Sequence, residues 1–175
     1  MQAYDFSPFK KIVDVGGGHG LLMAEILKSN PDATGVVFDQ PEVVTGAEAV
    51  IKSHGLKSRL EAVGGDFFVS VPSGGDAYVM KFIIHDWDDE RSVAILKSIH
   101  RAMADNGKLL LVESVVPSSN EPHFSKLMDI HMLIMTGGRE RTEADYAALF
   151  ARAGFTLTRI VPTQTPMSVI EAVKA

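Results

Sequence analysis

The sequence predicts an α/β protein built on a mostly parallel sheet, with helices on both faces and an antiparallel C-terminal hairpin. Three observations predict it. Short apolar runs alternate with segments of helical periodicity, the pattern of βαβ units. The last two apolar runs follow each other through Pro162 and Pro166 with no helix between them, which calls for an antiparallel return. With 175 residues, 46% of them hydrophobic and 22% charged, the chain fits one domain with a core of its own.

The first strand, Ile12 to Val15, ends in the run VDVGGGHG (Val13 to Gly20), and an amphipathic helix, Leu21 to Ser29, follows at once. Glycines allow a sharp turn and close backbone approach, while the free N–H groups of the helix start point at whatever is seated there. Gly16, Gly18 and Gly20 read G-x-G-x-G, and Leu21 stands where a dinucleotide fingerprint places its third glycine, so the loop suits a ligand smaller than a pyrophosphate. A bare tight turn is the alternative reading.

A second strand, Thr34 to Phe38, leads to Asp39, and a helix is predicted over Pro41 to Ser53 with proline in its first turn. Strands at Leu60 to Val63 and Ala77 to Lys81 precede Asp66 and His85-Asp86 respectively. A helix at Glu90 to Ala104 leads into a strand at Lys108 to Glu113, and after the polar loop Val116 to Pro122 comes a helix at Ser125 to Met135. Met128, Met132 and Met135 lie at helical spacing there, as a core face or as a flexible apolar wall for a substrate. Thr142 and Asp145 have the spacing of a capping arrangement for a helix at Glu143 to Ala153. Strands at Phe155 to Val161 and Ser168 to Val173 bring the count to seven.

Composition excludes several classes of partner. A net charge of -5 without a basic run offers no footprint for nucleic acid or for an anionic membrane surface. The absence of cysteine removes disulfides, thiolate nucleophiles and cysteine zinc sites. No apolar stretch approaches the roughly 18 residues of a membrane span, so a cytoplasmic protein is expected.

Polar residues gather where the predicted strands end, the place where open α/β sheets bind ligands. Asp39, about 20 residues beyond the glycine loop, is placed to accept from ribose hydroxyls, or else to cap the Pro41 helix. Asp66 with Phe67 offers an acceptor beside an aromatic face for a purine, although Phe67 and Phe68 also suit a core. Lys81 and His85 follow the fourth strand. His85 has the chemistry of a general base, and Glu113 and Glu140 are candidates to orient it; the alternative is a helix-entry histidine bonded to Asp88 or to backbone. The other histidines show no paired ligand spacing, and a metal set of Glu113, Asp129 and His131 is only conceivable, so no metal is expected.

Taken in order, VDVGGGHG, Asp39 in VVFDQPEVV, GGDFF, MKFIIHDWDDE, DNGKLLLVE and GGRERT resemble the catalytic domain of S-adenosylmethionine-dependent O-methyltransferases of the caffeic-acid and hydroxyindole type. The resemblance runs nearly the whole chain. It implies a Rossmann-like, seven-stranded class I methyltransferase fold and a cofactor, S-adenosylmethionine, that leaves as S-adenosylhomocysteine, with no metal. It implies that Gly16, Gly18 and Gly20 lie against the amino-acid part of the cofactor, Asp39 on its ribose, and Asp66, Phe67 and Lys81 about the adenine. It also implies that His85 is the general base, flanked by Glu113 and Glu140 and supported by Asp86, with a small aromatic hydroxyl compound as methyl acceptor. In that chemistry Glu113 would fix the imidazole tautomer. Members of the family usually carry an N-terminal helical domain that makes a homodimer and closes the acceptor pocket. This chain opens shortly before Ile12, so residues 1–175 are expected to be the catalytic domain without that partner, with apolar surface left bare and turnover weakened. Cofactor binding without catalysis is the alternative, and a nicotinamide-dependent oxidoreductase is disfavoured by the missing third glycine and by GGDFF.

Overall fold

The computed structural model describes residues 3–175. Its main sheet runs β3 (Leu60–Gly64), β2 (Thr34–Asp39), β1 (Lys11–Val15), β4 (Ala77–Lys81), β5 (Lys108–Val116), β8 (Met167–Lys174), β7 (Phe155–Pro162). The first five pair in parallel, and β8 pairs antiparallel with both β5 and β7. These are the seven expected strands. An eighth, β6 (Arg141–Thr142), pairs with Val115 and Val116, because β5 continues past the predicted end at Glu113. Two residues carry no periodicity, so β6 was invisible to pattern reading.

Alternation along the buried strands sends side chains to two cores. Val13, Val15, Tyr78, Met80, Leu109 and Leu111 pack with residues of α4 (Asp89–Ala102) and α6 (Glu143–Ala153). Ile12, Val37, Ala77, Val79 and Leu110 pack with α1 (Leu21–Ser29) and α3 (Ala47–Ser53). Because both faces are covered, these strands read as continuous apolar runs rather than alternating ones.

The helix predicted over Pro41 to Ser53 is two helices, α2 (Pro41–Val44) and α3, broken at Thr45 and Gly46. Glycine is a poor helix residue, and a Cβ on Gly46 would stand 2.5 Å from the ring of His19, an exposed side chain. The helix predicted over Glu90 to Ala104 ends at Ala102, where Met103 turns extended. The capping box of Thr142 and Asp145 is present as expected. No helix among the described residues is long and apolar enough to cross a membrane.

One polar cluster gathers around β8. Glu171 of β8, 4% exposed, accepts from the Tyr4 hydroxyl, from Thr158 Oγ1 (2.7 Å), from Arg159 (2.9 and 3.1 Å) and from Lys108 Nζ (3.1 Å). Burial alone would raise its carboxyl, but these donors outweigh that and hold it at about 2.

The strand order reverses between β1 and β4, since the chain lays β2 and β3 on one side and β5 on the other. At such a reversal the loops leave in opposite directions and open a crevice at the carboxyl ends of the strands.

Candidate active site

Into that crevice β1 delivers its glycine turn. Gly16, Gly18 and Gly20 take φ of 73°, 57° and 79°, a region L side chains avoid. The N–H groups of Gly16 and Gly17 donate to the Phe38 carbonyl (2.8 and 3.2 Å), and that of Gly18 to Asp39 Oδ2 (2.8 Å), tying the turn to the tip of β2. Asp39 does not cap α2, whose N-cap is Gln40; its Oδ1 accepts from the Gln40 N–H (2.7 Å). Each carboxylate oxygen accepts more than once, so Asp39 retains capacity for ligand hydroxyls. Gly65 N–H donates to the Asp39 carbonyl (2.9 Å), which places Asp66 beside it at the adjoining strand end. The exposed Asp66 accepts from Phe68 N–H (2.8 Å), and Phe67 is half-buried edge-on to Phe68 and Trp87. Asp14, Gly16, Gly17, His19, Leu22 and Lys81 line a cleft of about 290 Å³.

Asp14 is a site residue that pattern reading passed over. Its signal was there: a carboxylate inside the apolar run VDV directly before the glycines. It is 1% exposed, and its Oδ2 has no hydrogen-bond partner among the described residues. Burial first, then the charge of Asp39, raises its carboxyl to about 7 against a partial pull from Lys81. A folded-state value above the unfolded one means a stability cost that is complete above pH 7 and fades as pH falls from 7 to 3.8. Asp14→Asn is therefore expected to raise the melting temperature at pH 8 by several degrees, at roughly 2–4 °C per kcal/mol. Little change is expected at pH 4. Differential scanning fluorimetry at both values checks this; an equal shift at both would refute the assignment of an ionised Asp14.

His85 sits in a 3₁₀ turn (Ile84–Asp86) just beyond β4 and is 6% exposed. Its Nδ1 lies 3.0 Å from Glu140 Oε1 and 3.5 Å from Glu113 Oε2, and its Nε2 is 3.7 Å from Asp86 Oδ1. The helix-entry alternative is not what forms: Asp88 instead caps α4 through the Arg91 N–H. Of the two candidate orienting groups, Glu140 makes the hydrogen bond. Glu113 holds the turn itself, its Oε1 accepting from the Ile83 and Ile84 N–H groups at 3.0 Å each. Glu140 is placed in turn by its own N–H donating to Asp129 Oδ1 (2.9 Å) on α5 (Phe124–Met135).

Burial pulls the imidazole down, but the Glu140 hydrogen bond and the charges of Glu113, Glu140 and Asp86 outweigh it and leave His85 above its ordinary 6.5. Glu113 is raised to about 7, by burial first and by Glu140 next, against His85 and the two backbone N–H groups. An imidazole whose Nδ1–H is donated to a carboxylate keeps a lone pair on Nε2, so this arrangement can accept a proton and stabilise the resulting cation. His85, Glu113 and Glu140 also offer ligand atoms within 4.8 Å of one another, a donor set a divalent ion could use; the 3.0 Å contact is that of a hydrogen bond. The conceivable set of Glu113, Asp129 and His131 does not assemble, since Asp129 holds Glu140 and His131 is exposed.

Beside the glycine cleft opens a larger, mostly apolar cavity of about 1180 Å³, which shares Leu22 and Lys81 with it. Phe82, Val112, Phe124, Met128 and the turn between β7 and β8 complete its wall. Phe82, which lines this cavity, stacks on the His85 ring (5.6 Å between centroids, 17° between planes). It is the one described non-glycine residue with positive φ (58°), a strained backbone of the kind that clusters at functional sites. The turn bearing His85 also abuts the glycine loop: a Cβ on Gly16 would stand 2.4 Å from Ile83. The methionine stripe divides, with Met132 in the core, Met128 on the cavity wall and Met135 exposed. Outward on the same helix, Leu127, Ile130, Leu133 and Ile134 are exposed.

A family model described as the O-methyltransferase domain matches residues 1–156. The phenazine O-methyltransferase PhzM of Lysobacter antibioticus is 48% identical over 172 residues, covering 98% of this chain and 50% of that protein. The 8-amino-8-demethylriboflavin N,N-dimethyltransferase of Streptomyces davaonensis is 38% identical over 173 residues, 98% of this chain and 49% of its own length. Among solved structures, the O-methyltransferase NcsB1 from neocarzinostatin biosynthesis, in complex with S-adenosylmethionine and 2-hydroxy-5-methyl naphthoic acid, superposes with a TM-score of 0.90 at 32% identity, covering 99% of this chain and 51% of that one. The chain spans about half the length of the curated relatives it matches.

Proposed function

The chain belongs to the O-methyltransferase domain family, and on that premise we propose that residues 1–175 form a catalytic domain that binds S-adenosylmethionine and directs its methyl group to a hydroxyl of a small aromatic molecule. The observation that carries the reading is His85 held at Nδ1 by Glu140, with Glu113 behind it, at the strand ends beside the glycine cleft. The residues suit the cofactor. The cleft is floored by the unpartnered Asp14 carboxyl, an acceptor for an ammonium group, and space is open where a Cβ of Gly18 would point. Asp39 would accept from ribose hydroxyls, Asp66 and Phe67 would border the adenine, and Lys81 lines the cleft from β4.

Bound there, the sulfonium supplies a methyl group already activated for displacement. The protein's tasks are alignment and deprotonation. A phenol with pKa about 10 is protonated at neutral pH and attacks poorly. His85 takes that proton on Nε2 as the new bond forms, while Glu140 and Glu113 stabilise the imidazolium. The cavity lined by Phe82, Val112, Phe124 and Met128 suits the apolar face of an aromatic acceptor.

Transfer of a labelled methyl group from S-adenosylmethionine to hydroxyphenazines, hydroxynaphthoates and simple phenols tests the reading. An aromatic amine belongs in the panel, because one relative is named for methylation at nitrogen. Labelling of phenols is expected; labelling of the amine alone would overturn the choice of acceptor. Asp39→Ala is expected to weaken S-adenosylhomocysteine binding about 10- to 100-fold, since hydrogen bonds to a charged group are worth roughly 1.5–3 kcal/mol. Isothermal titration calorimetry measures this, and unchanged affinity would remove Asp39 from the site.

A further inference from the structure

Next to Glu140 lies a buried cation that takes no part in proton transfer. Arg141 is 1% exposed, and its guanidinium donates to the turn that carries His85, to the start of α4 that follows it and, at 3.4 Å, to the Arg139 carbonyl. Nη1 donates to the Ile84 carbonyl (3.0 Å) and Nη2 to the Trp87 carbonyl (2.9 Å), on either side of His85 and Asp86. Nε and Nη2 also reach Asp89 Oδ1 (3.1 and 2.7 Å), and Nη2 reaches Ser92 Oγ (3.3 Å), at the start of α4. The backbone beside it makes the same junction. Arg139 N–H donates to the His85 carbonyl (2.9 Å), and Gly138 lies so close that a Cβ there would stand 2.0 Å from that oxygen.

A planar fork of five donors can span two carbonyls, a carboxylate and a hydroxyl at once, which an ammonium on a flexible stem cannot. The residue that grips the turn is covalently next to the one whose carboxylate meets the imidazole. We propose that Arg141 is a positioning residue, which locks the segment bearing Glu140 onto the turn bearing His85 and so sets the contact between Nδ1 and Glu140. The proposal rests on the reading of His85 and Glu140 as a working pair. Packing alone would need no donors aimed at both flanks of one histidine.

The test compares Glu140→Gln, Arg141→Lys and Asp89→Asn with the parent chain by NMR titration of the His85 ring protons, alongside melting temperature and, where methyl transfer is measurable, kcat and KM. The groups that face His85 are Glu113 from β5, Glu140 from the segment before β6, Asp86 from its own turn and, behind the carboxylates, Tyr146 from α6. Losing the Glu140 contact removes a factor that favours the charged imidazole, so its titration midpoint moves to lower pH. Glu140→Gln is expected to show that shift directly. Arg141→Lys is expected to shift the midpoint in the same direction and to lower kcat about 10- to 100-fold, the cost of a small misplacement of a catalytic group. KM for the cofactor is expected to hold. Asp89→Asn weakens two of the guanidinium's bonds at a partly exposed residue, so it gives a smaller shift of the same sign and serves if Arg141→Lys does not fold. Should Glu140→Gln shift the midpoint while neither other variant does, even with a lower melting temperature, Arg141 is only a structural residue. Should Glu140→Gln itself leave the midpoint in place, the pairing fails, and the positioning role with it.

Discussion

Replacing His85 with alanine is expected to lower kcat about 10²- to 10⁴-fold, the usual worth of general-base help, and to leave S-adenosylhomocysteine affinity within about twofold. The two effects separate because the imidazole and the cofactor cleft are built from different parts. The cleft is organised by the bonds of Gly16 and Gly17 to Phe38 and of Gly18 to Asp39, none of which passes through His85. The His85 turn is held by Glu113 at the Ile83 and Ile84 N–H groups and by Arg141 at its carbonyls, so removing the ring leaves the backbone anchored. Methyl-transfer rates and calorimetry on the same preparation check both halves. The parent chain supplies a companion signature. A base works in its neutral form, so kcat is expected to rise with pH through a midpoint above 6.5, where Glu140, Glu113 and Asp86 hold His85. Full activity in the alanine variant, or an acid limb well below 6.5, would end the assignment.

Glu171→Gln is expected to destabilise the fold by on the order of 3 kcal/mol at pH 7, from a carboxyl held at about 2 against an ordinary 4.5. A folded-state value below the unfolded one contributes stability that is complete above pH 4.5 and is lost as pH falls toward 2. The gap between variant and parent should therefore narrow in urea unfolding as pH falls from 4.5 and close only below about pH 2. Asp14 and Glu113 act in the opposite sense, each raised to about 7, and their ionisation weakens the ligand-free fold as pH rises from the ordinary carboxylate range through 7. The parent chain should thus be most stable between these windows. A constant gap between variant and parent from pH 7 to pH 2 would show that Glu171 acts through packing rather than charge.

Much of the site was legible in the chain. Strand ends carry their side chains to one edge of a parallel sheet, so Gly16, Asp39, Asp66, Lys81, His85 and Glu113 could be assigned to a common rim from the alternation of runs alone. What that logic could not supply was partnership. Glu113 was expected to fix the imidazole, yet Glu140, far away in sequence, makes the hydrogen bond, and Glu113 caps backbone amides instead. Asp14 was hidden by its setting, because a carboxylate between two valines looks like an interruption of a strand until its burial is seen. The approach of the His19 ring to Gly46 likewise joins two segments that no local pattern connects.

The sequence by itself determined the fold class, the order of the seven main strands, the glycine turn and the general-base candidate, because these follow from local periodicity, backbone freedom and side-chain chemistry. Tertiary structure alone decided which carboxylate meets His85, that Phe82, at positive φ, stacks on its ring, and that Arg141 grips the turn from β6. Such pairings depend on distances of a few ångströms between segments about 50 residues apart, and no pattern along the chain records them.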